Sequence, residues 1–312
     1  MKIVLLESLG VPEEVLNACA KPLTDAGHTF VAYPRDTDPQ VQIARAGDAD
    51  VIMIANMPLS GKVIRSCPSL KYIDVAFTGV DHVAMDYCRE RGILVSNCAG
   101  YSNTAVPELV FGMVLNLYRY IIECNQAVRE GKDKTGLVGQ ELEGKKFGII
   151  GMGAIGTRTA QLARAFGCEV YGYNRSPRET EGVTMTDMDT LLRECDIVSL
   201  HVPLTEQTKG LIGEAQLRLM KPNAILVNTA RGPVVDSQAL AAALEEGRIA
   251  GAAVDVFETE PPISEDHPLL KAPRLLATPH VAFATKEALY KRAVIVFVNI
   301  ACYLDGKPQN VM

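Results

Sequence analysis

The sequence lacks any uninterrupted apolar run of the roughly 18 residues or more that a membrane-crossing helix requires. Its most apolar stretch, Val106–Ile122, carries Glu108 and Arg119. The apolar start Met1–Leu6 meets Glu7 and Gly10 too soon to read as a secretory leader. A basic excess is also missing: 31 Lys and Arg stand against 37 Asp and Glu, a formal net charge of −6. A nucleic-acid-binding face needs cations to neutralise phosphates, so this balance argues against such a partner. The eight cysteines are scattered, with no CxxC pair and no Cys/His spacing of a metal site. They read as small buried residues in a reducing cytoplasm, and no metal and no membrane association is expected. Low-complexity tracts and short-period repeats are absent as well. What is left is an ordinary globular chain of 312 residues, 48% hydrophobic and 22% charged, of a length that suits two domains.

Short apolar runs alternate with helical patterns. In the first third, Ile3–Leu6, Thr29–Tyr33, Val51–Ile54, Lys71–Val75 and Ile93–Val95 read as strands. Helices are expected near Glu13–Ala20, Val41–Ala46, Lys62–Cys67 and Val83–Arg89. This alternation predicts a parallel sheet with helices on both faces, an α/β fold. A longer helix follows, with Val106, Leu109, Val110, Met113, Val114, Leu117 and Ile121 on one stripe, Thr104 as its N-cap and Pro107 in its first turn. A second series then begins. Its strands are expected at Lys146–Ile150, Glu169–Tyr173, Ile197–Leu200, Ala224–Asn228, Gly251–Asp255 and Leu275–Ala277, with helices at Ile155–Phe166, Met188–Arg193, Glu214–Leu219 and Ser237–Glu245. Six strands is the count of a Rossmann sheet.

The first strand of that series runs into Gly151, Gly153 and Gly156, a GxGxxG turn opening a helix at Ala154 and Ile155. The first glycine makes the turn, the second admits a pyrophosphate, and the third lets helix and strand pack closely. A dinucleotide, and hence hydride transfer, is the expectation. After the next strand an NAD site would place Asp or Glu to accept from the ribose 2′-OH. Here Asn174, Arg175 and Ser176 stand instead. Asn drops the charge that repels a 2′-phosphate, and Arg offers it a planar fork, so NADP(H) is favoured, with NAD(H) as the alternative.

Ligands of open α/β sheets lie beyond the carboxyl ends of strands. That rule singles out His201, Arg231, the segment Asp255–Glu260 and His280. Carbonyl reduction needs a proton donor, which His280 or His201 can be; a carboxylate to orient it, Glu258 or Glu260; and a fork for a substrate carboxylate, Arg231. Position alone does not choose within these pairs.

The ordered segments FGIIGMGAIG, LHVPLTEQTKGLI, VNTARGPVVD, AAVDVFETEPP and ATPHVA resemble the D-isomer-specific 2-hydroxyacid dehydrogenase family over essentially the whole chain. The resemblance implies that Arg231 binds the substrate, that His280 is the acid/base, and that Glu260 stabilises its charged form. It implies that Asp255 holds the nicotinamide carboxamide and that His201 lies on the cofactor side. Within the matching segments, Val202, Pro203, Thr208, Thr229 and Ala230 are the further expected cofactor contacts. In AFTGVDHV, it implies that the backbone of Phe77, Thr78 and Gly79 holds the substrate carboxylate. It further implies a discontinuous, flavodoxin-like substrate domain (1–103 and 281–312) around a Rossmann cofactor domain (104–280), a substrate cleft that closes, and a homodimer. Phe283 departs from the family's usual small residues and is a candidate substrate contact. Glyoxylate or hydroxypyruvate is the expected substrate. A cofactor-sensing corepressor-like protein and a phosphite dehydrogenase on the same scaffold are the alternatives.

Overall fold

The structure, a computed structural model, describes residues 1–176 and 178–312. They form two compact units, one of Met1–Ser102 with Ala284–Met312, the other of Asn103–Phe283.

In the first unit, β1 (Lys2–Leu5), β2 (Thr29–Ala32), β3 (Val51–Ile54), β4 (Tyr72–Val75) and β5 (Leu94–Asn97) form a parallel sheet in the order β2-β1-β3-β4-β5. This is the flavodoxin-like doubly wound order. Central strands β3 and β4 are buried at every residue, as expected of strands covered on both faces. The chain returns to this unit as a helix, Lys286–Leu304, whose first turn is capped by Thr285 Oγ1 accepting from the Ala288 N–H at 3.1 Å. Asn299 on that helix is fully buried; its Nδ2 donates to Asp74 Oδ1 (3.0 Å) and to the Asn97 carbonyl (2.9 Å). The tail beyond it pairs with β5: the Asn97 N–H donates to the Asn310 carbonyl and the Met312 N–H to the Val95 carbonyl.

In the second unit, β6 (Lys146–Ile150), β7 (Glu169–Tyr173), β8 (Thr184–Met185), β9 (Ile197–Leu200), β10 (Ile225–Asn228), β11 (Gly251–Val254) and β12 (Leu275–Ala277) form a parallel sheet ordered β12-β11-β10-β9-β6-β7-β8. The Rossmann expectation of six strands becomes seven among the described residues. The addition is β8, which pairs with β7 through only Tyr171–Thr184 and Gly172–Met185 and is too short to show a period of two. Alternate residues serve opposite faces: Ile149, Ile197 and Ile225 join one core, Ile150, Val198 and Leu226 the other. The strand order reverses between β6 and β9, which places a ligand crevice at their carboxyl ends.

The helix before this sheet differs from its sequence reading at both ends. It spans Ala105–Arg119, and Thr104 stands at its N-cap but makes no side-chain cap hydrogen bond, because its backbone (φ −96°, ψ −48°) is already helical. Tyr120 then turns left-handed (φ 52°), and a new helix, Ile121–Arg129, departs at 56°. The apolar stripe therefore ends at Leu117, and Ile121 is exposed. No single helix among the described residues is long and apolar enough to cross a membrane.

Candidate active site

The crevice is built first by glycines. Gly151, directly after β6, has φ 101°, and a Cβ there would lie 2.6 Å from the His201 carbonyl oxygen at the end of β9. Only glycine lets the two strand ends of the switch point approach in this way. A Cβ at Gly156 would lie 2.1 Å from the Gly151 carbonyl oxygen, so the third glycine seats the helix Ala154–Ala165 against its own turn. Around Gly153 a Cβ would meet nothing within 4 Å. Open space there faces the first turn of that helix, where the N–H groups of Ala154 and Ile155 have no intrahelical acceptor.

At the end of β7, Asn174 Nδ2 donates to the Ser176 carbonyl at 2.9 Å, and its Oδ1 accepts from the Met152 N–H at 3.4 Å. Asn174 thus ties the strand end to the glycine turn. Arg175 is exposed, with Nη1 3.3 Å from Gln207 Oε1 in the loop after β9. That loop starts at Val202 and Pro203 and is closed by Thr208, whose hydroxyl donates to the Pro203 carbonyl at 2.6 Å and accepts from the Thr205 N–H at 2.8 Å. His201 lies at its root with Nε2 2.9 Å from Ser199 Oγ. Burial pushes its imidazole down to about 4, so it is neutral at physiological pH.

At the end of β10, buried Asn228 clamps the next loop. Its Oδ1 accepts from the Ala230 N–H at 3.1 Å and its Nδ2 donates to the Arg231 carbonyl at 2.9 Å. Arg231 Nη1 donates to the Ala230 carbonyl at 2.8 Å. The Thr229 hydroxyl between them is buried and has no hydrogen-bond partner among the described residues. Such a group costs free energy unless something satisfies it, so it fits a polar ligand at this strand end. Together with the open space at Gly153, it makes the crevice fit a dinucleotide. Gly232 follows, and a Cβ there would fall 2.0 Å from the carbonyl carbon of Phe257. The Arg231 loop therefore lies directly on the loop after β11. The sequence reading passed over Asn228 and Gly232; both stand beside Arg231, but nothing local to the sequence shows which backbone they must touch.

Asp255, at the end of β11, is fully buried. Its carboxylate accepts from the Thr278 hydroxyl and from the N–H groups of Val281 and Ala282, both at 2.8 Å, while its own carbonyl accepts from the His280 N–H at 2.7 Å. Burial raises its carboxyl above the ordinary range against the opposing pull of these donors and of His280. The result is a rigid turn after β12 that carries His280 in the left-handed region, φ 56°. His280 Nδ1 lies 2.9 Å from both Oε1 and Oε2 of Glu260. Glu258 goes elsewhere: its Oε2 is 2.8 Å from His267 Nε2, in a separate pair. Phe283 stands perpendicular to His280, ring centroids 5.4 Å apart at 88°. Of the alternatives left open by strand-end position, the structure brings together His280 and Glu260, the residues the resemblance implies, and leaves His201 beside Ser199.

In the first unit, the loop after β4 holds Phe77, Thr78 and Gly79. The Phe77 carbonyl accepts from the Cys98 N–H at 2.9 Å and the Thr78 carbonyl from Asn97 Nδ2 at 2.7 Å. With its carbonyls engaged by the end of β5, this loop has a fixed course.

Residues 111–282 match the family model for the D-isomer specific 2-hydroxyacid dehydrogenase, NAD binding domain. The chain is 38% identical over 307 residues to a glyoxylate reductase of Thermofilum pendens, covering 95% of this chain and 90% of that one. It is 34% identical to a hydroxypyruvate reductase of Blautia hydrogenotrophica, covering 100% and 99%. Among solved structures, an acyclic imino acid reductase in complex with NADPH and D-Arg is similar with a TM-score of 0.92 at 31% identity, covering 100% of both chains. A D-lactate dehydrogenase of Aquifex aeolicus complexed with NAD and lactic acid is similar with a TM-score of 0.88 at 30% identity, covering 98% of this chain and 96% of that one.

Proposed function

We propose that this chain, which belongs to the D-isomer specific 2-hydroxyacid dehydrogenase family and is a nicotinamide-dependent oxidoreductase, reduces a small 2-oxoacid to its D-2-hydroxyacid with His280 as proton donor. The observation that carries the reading is the pair at the end of β12, His280 Nδ1 on Glu260 at 2.9 Å, in a unit that also presents Arg231 at a strand end. An ionised carboxylate only accepts, so Nδ1 carries the hydrogen and Nε2 is the nitrogen that serves the substrate. Arg231 binds the substrate carboxylate through its fork and polarises the 2-oxo group. A nicotinamide, when bound, would supply the hydride that reduces the 2-oxo carbon. Nε2 of His280 gives its proton to the carbonyl oxygen, and Glu260 stabilises the imidazolium from which it leaves. In the oxidative direction His280 takes the proton back.

Gly151–Gly156 would hold the pyrophosphate, Thr229 a ribose or nicotinamide polar group, and Asp255 the carboxamide. The absence of a carboxylate at 174–176 and the exposed fork of Arg175 favour NADP(H). Glyoxylate and hydroxypyruvate lead as substrates, since relatives named for them align along almost the whole chain. The deciding experiment is a panel of 2-oxoacids assayed with NADPH and with NADH. A higher kcat/KM with NADPH, reversed in Arg175→Ala, is the expected result; a higher value with NADH in the unaltered protein removes the Arg175 argument. Turnover of no 2-oxoacid, with tight cofactor binding, would favour a cofactor-sensing protein.

The likeness to the imino acid reductase favours a second reading, in which the C=N of a 2-imino acid replaces the C=O and His280 protonates nitrogen. Assaying the same panel with and without added ammonium or methylamine separates the two: amine-dependent consumption of NADPH marks the imine.

A further inference from the structure

A hydrogen bond at Nδ1 holds one point of the His280 ring. It restrains the rotation about Cβ–Cγ from one edge of the ring, within a torsional well that is itself broad. The hydrogen bonds to Asp255 fix the backbone turn from Thr278 to Ala282. Phe283 adds a contact at the ring itself. Its ring meets that of His280 at 5.4 Å and 88°, an edge-to-face arrangement of favoured geometry. It is also the next residue after the turn held by Asp255, so its own position is set by the same anchor. The His280 side chain is only 10% exposed, and it is enclosed on two sides by groups with different tasks.

We propose that Phe283 is a positioning residue for His280: it fixes the imidazole plane so that Nε2 faces the reacting oxygen, while Glu260 fixes charge and tautomer. This rests on the assignment of His280 as proton donor. Phe283 then acts on turnover through the ring, whatever the substrate side chain. A role as a wall of the substrate pocket would instead discriminate by side-chain size.

The test compares Phe283→Leu, which keeps bulk without the aromatic ring, with Phe283→Tyr, which keeps the ring. Edge-to-face pairs contribute about 0.5–1.5 kcal/mol, which corresponds to roughly a 2- to 13-fold change. Phe283→Leu is expected to lose kcat by a factor in that range, the same for glyoxylate, hydroxypyruvate and a bulkier 2-oxoacid, with KM unchanged; Phe283→Tyr restores kcat. In parallel, NMR on protein carrying 13C-labelled histidine rings reads the order of the His280 ring without turnover. One ordered ring in the unaltered protein and Phe283→Tyr, and an averaged one in Phe283→Leu, is the expected pattern. An equally ordered ring in Phe283→Leu, or a loss confined to KM and graded by substrate size, overturns the proposal. If the unaltered protein turns over no 2-oxoacid, the functional reading fails, and the NMR comparison still decides whether Phe283 holds the ring.

Discussion

Two histidine–carboxylate pairs share one stretch of this chain. His267 with Glu258 and His280 with Glu260 have nearly the same contact distance, 2.8 and 2.9 Å. Each imidazole also meets a phenylalanine ring at right angles, Phe257 at 5.3 Å and Phe283 at 5.4 Å, both at 88°. What differs is the nitrogen used. His267 gives Nε2 to its carboxylate and uses Nδ1 to accept from the Leu269 N–H at 3.4 Å, capping the short helix Pro268–Lys271. Both of its nitrogens serve the fold. His280 gives Nδ1 to its carboxylate, and a left-handed backbone turn presents it at the end of a parallel strand. A His–carboxylate contact is thus not itself the mark of an acid/base; the two pairs differ in strand-end position and in the nitrogen used.

Substitutions at matched positions break this comparison or sharpen it. The largest contrast is expected between the histidines. His280→Asn should lower kcat by about 10²- to 10⁴-fold, the usual worth of a positioned general acid, with cofactor fluorescence titrations unchanged. His267→Asn should leave kcat near the unaltered value and lower Tm by about 2–4 °C per kcal/mol lost. Equal losses of kcat would show that the pairs are not distinct. Between the carboxylates the gap is smaller. Glu260→Gln removes a charge-assisted hydrogen bond worth about 1.5–3 kcal/mol, so kcat should fall roughly 10- to 100-fold. Glu258→Gln should act on stability alone. Burial works to raise the Glu258 carboxyl, but hydrogen bonds from Ser237 and His267 outweigh it and hold it below its ordinary range. Its contribution is therefore present above the unfolded carboxyl range and lost as pH falls through the folded value. Melting curves of Glu258→Gln and the unaltered protein should differ at pH 7 and converge in acid.

The smallest effect at neutral pH concerns His201, whose Nε2 faces the Ser199 hydroxyl. Its folded value of about 4 lies below the unfolded value of about 6.5, so between them the unfolded chain binds the extra proton. Stability should decline as pH falls from about 6.5 toward about 4, and His201→Gln should flatten that limb in Tm measured against pH. An unchanged limb would mean that His201 is solvated.

Much of the architecture was legible because the strands of a parallel sheet are short, mainly apolar runs bounded by turn residues. Val51–Ile54, Lys146–Ile150, Glu169–Tyr173, Ile197–Leu200 and Leu275–Ala277 fall where their apolar runs fall. The glycine turn was legible because Gly151 and Gly156 answer close approaches that only glycine permits. Other features had no local signal. Tyr120 breaks a helix by turning left-handed while the apolar stripe runs on in sequence, and β8 is two residues long. The helix Lys286–Leu304 did carry a signal, Thr285 capping a long apolar segment, which the reading of strands and turns left aside. Glu258 and Glu260 stand two residues apart in one loop. Strand-end position did not choose between them, because the partners that separate them, His267 and His280, lie further along the chain.

The central claim is that His280 supplies the proton. Its most direct test is turnover of a 2-oxoacid by His280→Ala with NADPH, measured with and without added imidazole. The account predicts almost no turnover alone and a rate that climbs with imidazolium concentration, as the free acid replaces the missing side chain. Turnover at the unaltered protein's level without imidazole would contradict it.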